Sequence, residues 1–176
     1  MKRLLAIGGF IIVAALFVML VLGWLQPVKH SVSRSIRLSQ KPEAVFAILE
    51  NTTNLPAWSS AVGHVDVLPD QNGQPTVRCI LKWGGIQMIM TRVEDTPPSR
   101  LVVAMAKDDG TPLGTWTYEV SPTDEGCRVV LTEDGELKNP FFREMARLRG
   151  LDANIKQTLS DLSKRFGQEP DILMGP

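Results

Sequence analysis

Residues 139–167, NPFFREMARLRGLDANIKQTLSDLSKRFG, carry one apolar stripe at helical spacing. Phe141, Met145, Leu148, Leu151, Ile155, Leu159, Leu162 and Phe166 recur at steps of three and four, while Arg143, Arg147, Lys156 and Lys164 fall off the stripe. Asn139 suits an N-cap, because its side chain can accept a hydrogen bond from an orphan amide. Pro140 suits the first helical position, where no N–H is needed. Lys164 and Arg165 lie where cations favour the helix dipole, and Gly167 suits the stop. Such a helix spans roughly 40 Å at 1.5 Å per residue. An apolar stripe that long demands a broad apolar surface to cover it, so the preceding chain has to supply one.

Strand patterns supply it. Residues 30–39 alternate, with Val32, Ile36 and Leu38 on one parity and Ser31, Ser33, Ser35 and Arg37 on the other; Arg34 falls on the apolar side. Pro42 and Glu43 open a short amphipathic helix through Val45, Phe46, Ile48 and Leu49. The segment NTTNLPAW adds a helical turn that Trp58 packs down. Strand candidates follow at residues 63–68, 76–83, 86–94, 100–107, 114–121 and 126–137. Their separators, PDQNGQP, GG, DTPPS, KDDGTPL and PTDEG, are turn-rich and short. Parallel crossovers need a dozen residues or more, so these are antiparallel hairpins. Strands gathered before a terminal helix indicate an α+β fold.

That order resembles the helix-grip fold of the SRPBCC (START / Bet v 1-like) superfamily, in its polyketide cyclase/dehydrase-like branch. VSRSIRLSQKPEAVFAIL is similar to the family's opening strand and helix, and NLPAWSSAV to its helix-to-strand turn. GTWTYEVSPTDEGCRVVLTEDGELKNPFFREMARL is similar to its last hairpin and helix start. The resemblance implies a seven-stranded antiparallel sheet curled around the long C-terminal helix, with a cavity between them. It fixes no activity, because one fold hosts many functions.

Ahead of this domain, residues 4–25 form an uncharged apolar run, and a membrane span needs about 20. Lys2 and Arg3 precede the run and Trp24 marks its far end, which favours a cytoplasmic N-terminus and a domain outside the cytoplasm. Lys29 and Arg34 on the other flank pull against that orientation. A cleaved signal peptide competes, although its apolar core is usually shorter and Val21-Leu22-Gly23 makes a poor cleavage site. The expected organisation is a transmembrane helix with a short tether over residues 1–27, the helix-grip domain over 28–167 and a tail over 168–176.

The 176 residues carry a formal net charge of zero, so nothing points to nucleic acid as a partner. Cys79 and Cys127 lie in apolar runs without CxxC or histidine spacing, which reads as two buried thiols and no metal site. No nucleophile elbow, phosphate loop or HExxH occurs, and no cofactor is implied. His64 and Asp66 share a strand face. Asp152 follows Gly150 at a step that breaks the helix pattern, and reads first as a solvent-facing flank. In the resembled topology Arg34 comes near Glu133 or Asp134, as an ion pair at the sheet's end.

The middle strands are enriched in large, soft side chains, and methionine suits adaptable apolar surfaces. Trp83, Met88, Met90, Met105, Trp116, Tyr118, Leu148 and Ile155 are the candidate lining of a site for a hydrophobic small molecule or lipid. No catalytic residue is assigned. A polyketide cyclase- or dehydratase-like enzyme, with His64, Asp66, Tyr118 or Asp152 handling protons, and an interaction module with a filled core are the alternatives.

Overall fold

The structure, a computed structural model, describes residues 2–175, with side chains from residue 7 onward. Helix α1 (Lys2–Leu25) is followed by β1 (Lys29–Leu38), α2 (Pro42–Glu50) and a 3-10 turn (Thr52–Ala57). Six strands come next: β2 (Val62–Gln71), β3 (Gln74–Leu81), β4 (Gln87–Thr96), β5 (Arg100–Lys107), β6 (Pro112–Thr123) and β7 (Gly126–Glu136). Helices α3 (Pro140–Arg149) and α4 (Ala153–Arg165) and a short β8 (Leu173–Met174) complete the chain.

The strands form one sheet in the order β2-β3-β4-β5-β6-β7-β1-β8. The register is antiparallel from β2 through β7, as the short turns require. The eighth strand is the addition to the expected seven. It lays Leu173 and Met174 against Ser35 and Arg34 on the edge of β1.

The expected continuous terminal helix is two helices. Asn139 caps α3, its side-chain oxygen accepting from the amides of Phe141 at 2.9 Å and Phe142 at 3.4 Å. Gly150 ends α3 at a φ of +92°, which a side chain would resist, and Asp152 starts α4. Gly167, at a φ of +70°, ends α4 as its sequence position implies.

The chain divides into two compact units. One takes the segment up to His30 together with Glu136–Leu151; the other takes Ser31–Gly135 and Asp152–Pro176. The core of the second unit is the face of the sheet that meets α4. Ile155, Leu159 and Leu162 bury the α4 stripe among Ile36, Val77, Cys79, Leu101, Val103, Val129 and Leu131. From α2, Val45, Phe46 and Leu49 close that core. Asp161 pins the loop before β2 to α4, accepting from the Ser60 amide and hydroxyl at 2.7 Å each.

Candidate functional site

Strands β6 and β7 lie beside β1 in the sheet, and β1 carries Arg34 to the N-terminal end of α4. Pairing sets Trp116 opposite Glu133 and Tyr118 opposite Leu131. The Trp116 indole Nε1 donates to Glu133 Oε2 at 2.9 Å, and its ring meets Tyr118 edge-on, with centroids 6.4 Å apart. Burial, with the Glu133 charge adding to it, raises the Tyr118 pKa, so its hydroxyl keeps its proton.

Arg34, the odd charge on the apolar parity of β1, pairs with Asp152, a partner that the sequence did not suggest. Lys156, one turn into α4, reaches the same Asp152 oxygen at 2.8 Å. Asp152 is therefore buried and paired, not the solvent-facing flank that its sequence suggests. Its carboxyl is held below the usual carboxylate range, first by the hydrogen bond from Lys156, then by the charges of Arg34 and Lys156, against the opposing effect of burial. Asp152 is a fixed anion here, not a proton carrier near neutral pH.

The apolar part of this face comes from β4 and β5. Met90 and Met105 are cross-strand partners, both buried, and Met88 packs half-buried on the same core. The alternating outward residues Ile89 and Thr91 line an open concavity of about 610 Å3 on the far side of the sheet, with Ala104 and Ala106. Another open recess, about 710 Å3, lies among Ser39, Pro42, Pro98, Pro122 and Gly126 at the turns.

Of the eight sequence-nominated lining residues, Met88, Met90, Met105, Trp116, Tyr118 and Ile155 belong to or pack on the core of the second unit. Trp83 stands in the β3–β4 turn and is 81% exposed. Leu148 lies on α3 and is also exposed. Sequence reasoning missed the Trp116–Glu133 bond, although their shared inward parity carried the signal. It also missed Lys156 as an Asp152 partner, readable from the i,i+4 spacing.

The remaining chemistry is quiet. His64 Nε2 lies 3.1 Å from Asp66 Oδ1 on the exposed edge strand β2. Burial pushes the Cys79 and Cys127 thiols up to about 11, far from a reactive thiolate at neutral pH. Among the described residues, no group of three or more His, Cys, Asp and Glu side chains is placed to hold a metal ion. Within α1, residues Ile7–Leu25 are long and apolar enough to cross a membrane.

A family model described as polyketide cyclase / dehydrase and lipid transport matches residues 29–167. No curated protein sequence matches the chain. Among solved structures, the di-domain ARO/CYC protein StfQ of the steffimycin biosynthetic pathway aligns with a TM-score of 0.63 at 15% identity. That alignment covers 80% of this chain and 52% of StfQ, so this chain spans about half the length of that protein. A START superfamily protein from Mycobacterium smegmatis gives a TM-score of 0.60 at 15% identity, covering 77% of this chain and 96% of its own. The Zhui aromatase/cyclase from a Streptomyces species gives 0.57 at 16% identity, covering 80% of this chain and 99% of its own. At such identities the likeness carries the fold alone.

Proposed function

Because the chain belongs to the polyketide cyclase/dehydrase and lipid transport family, we propose that it is a membrane-anchored SRPBCC domain that binds a hydrophobic small molecule or lipid. The binding face is the one between the sheet and α4. The observation that carries this reading is its composition. Met88, Met90, Met105 and Ile155 give a deformable apolar surface, and Trp116, Tyr118 and Glu133 give one polar end. Such a face suits an amphiphile with a single hydrogen-bonding group.

Binding without catalysis is the reading taken for this face, since Asp152 and Tyr118, the two candidate proton handlers near it, are held away from neutral pH. A general acid or base works best with a pKa near the operating pH. Asp152 is held low, and Tyr118 and both thiols are held high. Helix α1 then serves as a single membrane span and keeps the domain at the bilayer, where apolar ligands are concentrated.

The test is titration of the full chain, reconstituted in lipid nanodiscs, with a spin-labelled fatty acid while tryptophan emission is followed. Saturable quenching that Trp116→Phe removes is the expected result. Emission unaffected by this and other apolar probes would overturn the binding reading. A reporter fused after Pro176 tests the topology, with activity expected only outside the cytoplasm. Release of a mature fragment beginning near Trp24 would instead identify a cleaved signal.

A further inference from the structure

Helix α3 is inside out for a helix in water. An ordinary surface helix buries its apolar stripe and exposes its charges. Here Arg143 and Glu144 are 7% and 1% exposed, whereas Phe142, Met145 and Leu148 are 59%, 46% and 63% exposed. Those three apolar residues recur every third position, which keeps them on one side of the helix. Phe141 packs edge-on against Phe142, with ring centroids 5.8 Å apart, and widens the same apolar side.

The inward polar face is built, not accidental. Glu144 takes two hydrogen bonds from Arg147, at 2.9 Å and 2.6 Å. Arg143 and Arg147 line a small pocket of about 40 Å3 with Gln26, Pro27 and His30, the residues that leave α1. Leu137, just before α3, donates its amide to the Val28 carbonyl at 2.8 Å. Gly23, in the last turn of α1, is the one buried residue among those of α1 whose side chains are described, and a Cβ there would overlap the Pro140 carbonyl. The start of α3 is thus seated against the end of α1, beside the exposed Trp24 and Leu25.

Resting on the reading of α1 as a membrane span, we propose that α3 is a second membrane element, an interfacial helix lying in the plane of the bilayer surface. Phe142, Met145 and Leu148 enter the boundary between headgroups and acyl chains. Two observations select a bilayer over a second protein as the occupant. The apolar face begins where the span ends, so lipid lies beside it with no linker to cross. The exposed charges of the segment from Glu136 to Leu151 are the cations Lys138, Arg147 and Arg149, whereas Glu136 is half-buried and Arg143 and Glu144 face inward, which suits anionic headgroups. Arg149, on the apolar side in the last turn, can extend its stem along lipid and keep its charge at the surface.

The experiment places an environment-sensitive NBD label at Leu148→Cys, and separately at Met145→Cys, in the full chain in vesicles of phosphatidylcholine and phosphatidylglycerol. The buried native thiols leave the introduced cysteine as the reactive one. A label at Asp124→Cys, in the β6–β7 turn, reports full exposure to water. The expected result is blue-shifted emission at both α3 positions, quenched several-fold more than the turn label by shallow spin-labelled lipids. That signal should persist as protein is diluted in lipid. Emission at both positions matching the turn label would overturn the proposal, as would a blue shift that vanishes on dilution, because a second copy would then be the cover. A carbonate wash separates the two readings. Protein kept in the membrane with its α3 label in water refutes the interfacial helix alone, whereas protein released by the wash refutes the span and the interfacial helix together.

Discussion

Arg34 of β1 and Asp152 at the start of α4 form an ion pair that fastens the sheet to the helix. Asp152 occupies the N-cap of α4 but makes no capping hydrogen bond; its carboxylate is given to Arg34 and Lys156 instead. Removing Asp152 takes from the desolvated Arg34 its carboxylate partner, at a cost of about 3 kcal/mol, whereas removing Arg34 leaves Asp152 with Lys156 and costs less. Arg34→Met and Asp152→Asn should each lower the denaturation midpoint, and the double variant should recover part of the loss. Strict additivity in that cycle would show that the pair contributes no coupling.

The same pair sets an acid limit. The Asp152 pKa is lowered in the folded protein, so its contribution is present above the unfolded pKa and is lost as pH falls through the folded one. Stability should therefore decline from about pH 4 downward. Asp152→Asn should be less stable at neutral pH and should lose less on acidification. Urea midpoints measured at descending pH check this, and equal slopes for variant and wild type would remove Asp152 as the cause.

Much of this architecture is legible in the sequence because strand alternation and turn chemistry are local. The β5 bounds, Arg100–Lys107, coincide with the expected ones, and neighbouring strands differ by a few residues at their ends. Strand β4 follows the alternation less cleanly. Its register shifts between Arg92 and Glu94, so a bulge interrupts the alternation that begins with Met88 and Met90 inward. The terminal helix read as continuous because its apolar spacing runs across Gly150, whereas the backbone stops there. Arg34 was visibly inward, but its partner depended on where that helix breaks. Trp83 abuts the Gly84-Gly85 turn and so lies beyond the end of β3, whereas Trp116 sits between threonines within β6.

Two glycines should respond differently to alanine. Gly126 opens β7 at a φ of +146°, and a Cβ there would overlap the Leu38 carbonyl and lie 2.7 Å from Ser39 backbone atoms. Gly73 has a φ of +76° in a turn with nothing within 4 Å. Gly126→Ala should cost about 3 kcal/mol or more through combined clash and strain. Gly73→Ala should cost about 1 kcal/mol from backbone conformation alone. Chemical denaturation of the two variants checks the difference, and equal losses would show that the close approach at Leu38 relaxes freely.

Both thiols should be silent in the native state. Cys79 is buried with its Sγ 3.3 Å from Met90 Sδ, and its pKa is pushed up to about 11 by burial. Cys127 is raised to about 11 by burial and then by the Glu43 charge. The thiolate is the reactive species, so alkylation at neutral pH should await unfolding. Mass spectrometry after iodoacetamide treatment, with and without denaturant, checks this. Rapid native labelling at either position would show that the core opens there.

Bulk added on the α4-facing side separates a binding face from a filled core. Met90 and Met105 oppose each other across β4 and β5, and Ile155 is fully buried on α4. If an apolar ligand occupies space along this face, Met90→Trp or Ile155→Trp should fill that space. The domain should then stay folded with little loss of stability, while fatty-acid quenching of Trp116 falls several-fold. If the core is packed to native density, the same substitutions force neighbours off their rotamers and cost about 1–3 kcal/mol. The wild type would then have no quenching to lose. Each protein therefore needs both a denaturation midpoint and a quenching titration. Quenching lost without destabilisation supports the binding face; destabilisation with no quenching in the wild type supports the packed module.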